Sequence, residues 1–241
     1  MRLCPWDKLP EQMRTPEVRP YYEILRKKRG SLVLKRCFDV VASLIMIVLL
    51  SVVLLVLAVW IKLDSKGPVF YRQERVTQYG RHFRIFKFRT MVTDADKLGA
   101  LVTTQGDPRI THVGGKIRSL RLDELPQLFN ILTGDMSFVG TRPEVPKYVE
   151  AYTNEMWATL LLPAGVTSQA SIRYKDESAL LDAAENVDEV YTNNVLPAKM
   201  QYNLYAIRNF SFFQELKTMV ETVLAVLGKS YPADMMDDSE P

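Results

Sequence analysis

From Val40 to Ile61 the chain reads "VVASLIMIVLLSVVLLVLAVWI", an apolar run without a charge. Crossing a bilayer takes roughly 20 apolar residues, so these 22 predict a membrane helix, drawn here as residues 37–62. Its position and the lack of an A-x-A-like cleavage site argue against a secretory signal peptide. Beyond it the period shortens. "PVFYRQERV" and "HFRIFKFRTM" alternate apolar with polar residues and predict two strands. "DADKLGALV" predicts a helix start and "TTQGDPRITHVGG" a loop. Residues 116–133 predict a helix, with Leu122, Leu125, Leu128, Phe129 and Leu132 on one face. A Gly/Pro-rich loop follows over 134–148. "YVEAYTNEMWATLL" predicts helix, "PAGVTSQASI" loop, and "DESALLDAAENVDEVYTNNV" helix. "FFQELKTMVETVLAVLG" predicts an apolar helix with Lys217 and Glu221 on its polar side, packed in the core or lying at a membrane surface.

Charge sharpens the reading of the apolar run. Arg26, Lys27, Lys28, Arg29, Lys35 and Arg36 precede it; Lys62, Lys66, Arg72, Arg75, Arg81 and Arg84 follow it. Positive charge favours the cytoplasmic side, and here both flanks are basic. The helix either crosses or dips in and returns. A dip needs a break near the middle, where Ser51 can take a freed carbonyl, although the run holds no proline. "PYYEILRKKRG" predicts a short amphipathic surface helix or a solvated linker. A net charge of +3 over 241 residues does not indicate a nucleic-acid binder. Two cysteines without a CxxC and two histidines argue against a disulfide framework and a His-based zinc site. "GGKIRS" resembles the end of a P-loop, but Ile110 stands where the first glycine is needed.

Candidate chemistry lies in "LRLDELPQLFNILTGDMSFVGTRPEV". Pro126 belongs in the first turn of its helix. That places Asp123 and Glu124 near the N-terminus, where N–H groups and the helix dipole favour anions. The plain reading makes Asp123 an N-cap and Glu124 a dipole partner. Arg118 and Arg142, the latter held between Gly140 and Pro143, point elsewhere. An acid pair ringed by arginines suits phosphate chemistry, with Asp as nucleophile and cations screening the repulsion.

"KFRTM", "DPRIT", "LDELPQLFN" and "GDMSFVGTRP", in this order within residues 32–228, resemble the bacterial sugar transferase family, small monotopic polyprenol-phosphate phosphoglycosyl transferases. The resemblance implies transfer of a sugar 1-phosphate from a UDP-sugar to undecaprenyl phosphate, with UMP released. Asp123 would attack the phosphate and form a covalent phosphosugar intermediate. Glu124 would deprotonate or position the lipid phosphate. Magnesium would be required, with Asp123 as its ligand. Lys87, Arg89 and Arg118 would bind phosphates, and Arg142 with Pro143 would form the binding loop. The implied class is α/β, mostly helical. It comprises an N-terminal segment (1–36), one membrane helix (37–62) and a catalytic domain (63–228) with a short sheet and interfacial helices, then a tail (229–241). The implied place is the bacterial inner membrane, cytoplasmic face, among lipids, with no nucleic acid and a homodimer left open.

Two departures stand out. The family's membrane helix often carries Ser-Pro at its midpoint; here Ser51 is followed by Val52. The basic flanks and the family's topology still favour a re-entrant helix. Many members read "GPRP" where this chain reads "GTRP", which keeps the arginine and last proline. "PAGVTSQASIRYKDES" takes the place of a family loop that helps set the accepted sugar, with Ser168, Gln169 and Arg173 as candidates. The alternatives are a non-catalytic membrane scaffold of a polysaccharide-assembly system, a direct-attack transferase and a membrane-tethered nucleic-acid binder.

Overall fold

The structure, a computed structural model, describes residues 1, 3–95, 107–174 and 186–231. The helix expected at "DADKLGALV" and the start of that at "DESALLDAAEN" fall outside them in whole or large part.

Residues before the apolar run are no solvated linker. Helix α1 (Arg19–Lys27) buries Tyr21, Tyr22 and Leu25. With Leu9, Met13 and Val18 they join the largest core cluster, which also holds Tyr148, Leu161, Leu196, Met200 and Phe210. The apolar run is not one helix. Helix α2 (Arg29–Leu49) and helix α3 (Ser51–Asp64) meet at a 62° bend. Leu50 carries the break, its backbone (φ −93°, ψ 4°) in the bridge region. Ser51 opens the second helix, in the kind of position where kinks without proline are found. No described helix alone is long and apolar enough to cross a membrane, though the bent pair is together.

Two separate docking sites hold the bend. Ile47 and Leu50 pack against the cluster of Phe83, Ile85, Leu128, Ile131, Met136 and Ala164. Leu57 and Ile61 sit in another cluster with Phe88, Val113 and Ile117. Polar bonds fix α2 further. Lys35 Nζ donates to the Val139 carbonyl at 2.7 Å and pairs with Glu215. Asp39 accepts from the Ser137 hydroxyl at 3.0 Å and the Phe138 N–H at 3.2 Å. Arg36 caps the carbonyls of Ile131 and Leu132.

Strands β1 (Phe70–Val76) and β2 (His82–Phe88) pair antiparallel, Gln73 opposite Ile85, as the alternation predicts. The helix expected over 116–133 is divided. Helix α4 (His112–Ser119) ends before Arg121, which takes the left-handed conformation (φ 57°, ψ 18°) and turns the chain into a 3-10 turn, Leu122–Glu124. Helix α5 (Gln127–Thr133) follows, with Pro126 at its start. The expected loops at 134–148 and 163–172 hide short elements. Strand β3 (Met136–Val139) pairs in parallel with β4 (Ala164–Thr167), and helices α6 (Pro146–Val149) and α7 (Gln169–Arg173) flank them. Strands of four residues are too short for a readable period. Helix α8 (Val187–Val190) runs through a π turn into α9 (Leu196–Arg208).

Helix α10 (Phe212–Val226) is turned inside out. Thr218 and Glu221 are buried, while Phe213 is 79% and Val226 72% exposed.

Left-handed backbone strains a residue with a Cβ by about 1–2 kcal/mol. Arg121→Gly is therefore expected to keep the fold and raise stability by up to about 1 kcal/mol, net of glycine's entropy. Chemical denaturation checks this; a clear loss of stability would show that the Arg121 side chain, not its backbone, matters.

Candidate active site

Three chain segments bring the charged groups together. Strand β2 presents Lys87 near its end. The turn after Arg121 presents Asp123 and Glu124. The loop leaving β3 presents Arg142. Glu124 Oε1 accepts from Lys87 Nζ at 3.0 Å and from Arg142 Nη2 at 2.5 Å. One carboxylate oxygen thus holds two cations whose residues lie 37 and 18 positions away.

Backbone packing aims Arg142. Gly140 N–H donates to the Thr167 carbonyl at 3.0 Å and Gly165 N–H to the Thr141 carbonyl at 2.9 Å. A Cβ on Gly140 would lie 2.5 Å from the Pro163 carbonyl oxygen, and one on Gly165 would strike the Gly140 backbone. Two glycines therefore let β3 and β4 touch where the chain leaves for Arg142. Arg75, half-buried under this loop, donates to the Pro143 carbonyl at 3.0 Å and to Gln73 Oε1 at 2.5 Å. Val76 N–H donates to the Glu144 carbonyl, and the Tyr191 hydroxyl to the Glu144 carboxylate at 2.7 Å.

Asp123 is different from its neighbour. Its side chain is buried, and Oδ1 has no hydrogen-bond partner. It caps neither the 3-10 turn nor α5, so the N-cap reading fails. Burial pushes its carboxyl above the usual value; Lys87 and Arg118 pull the other way, and Glu124 adds to the rise. Burial opposes the Glu124 charge too, but Arg142 and Lys87 outweigh it and hold that carboxyl well below the usual carboxylate range. Burial, with Arg142 beside it, pushes the Lys87 ammonium down to about 8 against the pull of Glu124 and Asp123.

Arg118, in the last turn of α4, acts on Asp123 through its charge. Arg89 is not brought to the acid pair. Its guanidinium is spent on the Ser65 carbonyl at 2.8 Å, the Ser65 hydroxyl at 2.9 Å and the Lys66 carbonyl, closing the end of α3. Ser51 lies at the helix bend. Ser168 caps α7, and Gln169 donates to Thr218 at 2.9 Å and Glu221 at 2.8 Å while accepting from Arg173; these three build a buried network against α10. Sequence reasoning missed Arg75. Its contact joins residues 68 apart, and nothing near "QERV" signals it.

Residues 30–229 match the bacterial sugar transferase family. The chain belongs to this family. It is 37% identical over 198 residues to the UDP-N-acetylgalactosamine-undecaprenyl-phosphate N-acetylgalactosaminephosphotransferase of Aeromonas hydrophila, covering 80% of this chain and 44% of that protein. It is 34% identical over 197 residues to the UDP-glucose:undecaprenyl-phosphate glucose-1-phosphate transferase of Klebsiella pneumoniae, covering 80% and 40%. An uncharacterized sugar transferase, EpsL, of Bacillus subtilis is 33% identical over 196 residues, covering 81% and 88%. The chain thus spans less than half of the first two relatives and most of the third.

A carboxyl that titrates higher in the folded chain costs stability once the unfolded chain has lost its proton, from the ordinary Asp range up through the raised value. Asp123→Asn removes that cost. Its Tm at pH 7 is expected to equal or exceed the wild type, the gap closing as pH falls below about 4. A Tm well below wild type at pH 7 would contradict a buried, unpaired Asp123.

Proposed function

We propose that the protein transfers a sugar 1-phosphate from a UDP-sugar to undecaprenyl phosphate, releasing UMP and leaving an undecaprenyl diphosphate sugar. The observation that carries this reading is the asymmetry of the acid pair: Glu124 is clamped by two cations while the adjacent Asp123 keeps a buried, unbonded oxygen. Two cations on Glu124 draw electron density from that carboxylate and weaken it as a nucleophile, whereas Asp123 Oδ1 carries no such contact.

Asp123 Oδ1 attacks the phosphorus that carries the sugar. The bond to UMP breaks, UMP leaves with the electron pair, and an aspartyl phosphosugar remains. An oxygen of the lipid phosphate then attacks the same phosphorus, and the Asp123 bond breaks. Lys87, Arg142 and Arg118 offset the negative charge of both phosphates and of the leaving UMP. Glu124 positions Lys87 and Arg142. Among the described residues no three His, Cys, Asp or Glu side chains gather as a metal cage. Magnesium needs none, since one or two carboxylates and substrate phosphates suffice for it. Asp123, with its unpaired oxygen, fits as the ligand, and the ion would supply charge neutralisation.

The lipid substrate calls for a membrane. Val41, Leu44, Ile45, Val48, Leu49, Val52, Leu55 and Val56 are exposed around the bend, as are Phe213, Val223 and Val226 of α10. The bent pair suits a re-entrant segment, with the basic residues at both ends on the cytoplasmic face. A re-entrant segment would carry the acid pair near headgroup depth, where the lipid phosphate lies.

Purified protein with magnesium, undecaprenyl phosphate and a panel of UDP-sugars is expected to release UMP with one of them, and Asp123→Asn to release none. UDP release would mean direct glycosyl transfer and sink the Asp123 assignment. Arg142→Lys is expected to lose on the order of 10²-fold in kcat/KM, because a planar fork and one charge-assisted bond are lost. Lys87 is a cation only below about 8, so KM for the UDP-sugar is expected to rise as pH climbs through that value. A KM flat to pH 10 would remove Lys87 from the phosphate site.

A further inference from the structure

Four residues after Asp123 a second buried polar atom has no partner. Gln127 is 1% exposed, and its Nε2 makes no hydrogen bond. Leu125 and Pro126 keep right-handed helical backbone, so the turn of Asp123 runs on into α5. Gln127 therefore stands four residues after Asp123 and three after Glu124, and the i→i+3 bonds of this stretch stack it over Glu124.

Neighbouring contacts say which way this face looks. Three residues further on, Asn130 accepts from the Phe86 N–H at 2.8 Å and donates to the Arg84 carbonyl at 3.2 Å. Three residues earlier, Glu124 accepts from Lys87. Gln127 lies between the two, on the face of α5 that meets the end of β2. A buried amide left unbonded is costly. An apolar residue of the same shape would serve the packing better.

Resting on the phosphoglycosyl reading of this site, we infer that Gln127 contacts the reacting phosphoryl group: its amide N–H donates to a non-bridging oxygen of the phosphate that Asp123 attacks. The two unpaired atoms are complementary to that group. Asp123 Oδ1 meets the phosphorus, and the Gln127 donor meets an oxygen bonded to it. Lys87 and Arg142 contribute charge; Gln127 contributes a neutral, oriented donor that leaves the Asp123 lone pair untouched. A donor of this kind gains strength as charge builds on the phosphoryl oxygens, so its effect falls on kcat rather than on KM.

The test compares wild type, Q127M and Q127E by Tm and by lipid-dependent UMP release. Methionine keeps the unbranched shape and removes the donor. Q127M is expected to lose on the order of 10²-fold in kcat with little change in KM, at a Tm equal to or above the wild type. Q127E, which sets a carboxyl against the phosphate, is expected to fall lower still. Undiminished kcat in Q127M beside an active wild type overturns the inference alone. So does a Q127M whose Tm falls with its rate while Q127E stays active, since that pattern belongs to packing. A wild-type protein that yields UDP, or no nucleotide from any donor, overturns the phosphoglycosyl reading and takes this inference with it.

Discussion

One oxygen atom organises the site. Glu124 Oε1 receives both Lys87 and Arg142, and those residues arrive from β2 and from the loop after β3. The cations repel each other, so neither would stand where it does without the carboxylate between them. Remove Glu124 and the end of the hairpin and the loop lose their common anchor. Arg75 works from beneath, fixing the Pro143 carbonyl and so the root of the same loop. The result is a charge cluster with more positive than negative members, built before any phosphate reaches it. Such preorganisation avoids reorganisation during the reaction.

The same packing leaves Asp123 in an unfavourable state. Its carboxyl is buried, its Oδ1 unbonded and its charge opposed by Glu124. Arg121, in left-handed backbone two residues earlier, adds local strain. Conformational and electrostatic costs of this kind gather where function requires them. The structure elsewhere compensates through three hydrophobic clusters and the polar bonds of α2.

Much of this was legible in the sequence. The two strands, the final helix and the apolar run carry clear periods, and Pro126 marked the start of α5. The acid pair and Arg142 were legible because the motif keeps them close along the chain. Lys87 is remote, and came only through resemblance to a family. Arg89, two residues on and just past the end of the strand, looked equivalent; the structure gives its guanidinium to carbonyls at the end of α3. Strands β3 and β4 were read as loops because four residues cannot show alternation against a Gly/Pro-rich background. Ser51 and the basic flanks left a crossing and a dipping helix both open, the family's topology favoured the dip, and the angle of the bend depends on two distant clusters that no local pattern encodes.

Helices α2 and α10 meet through a buried ion pair and the ring contact of Phe38 with Phe212, and turn other apolar side chains outward. Lys35 is 2% and Asp39 4% exposed, and Lys35 pairs with Glu215 across the contact. In water, bringing these helices together desolvates the Lys35–Glu215 charges while leaving oily surface wet, a cost that the Phe38–Phe212 contact has to offset. In lipid the outward faces are solvated by hydrocarbon, and polar attraction between helices operates at low dielectric. The Lys35 contact that braces the Val139 carbonyl, three residues before Arg142, is therefore one whose strength depends on the medium around its outward faces.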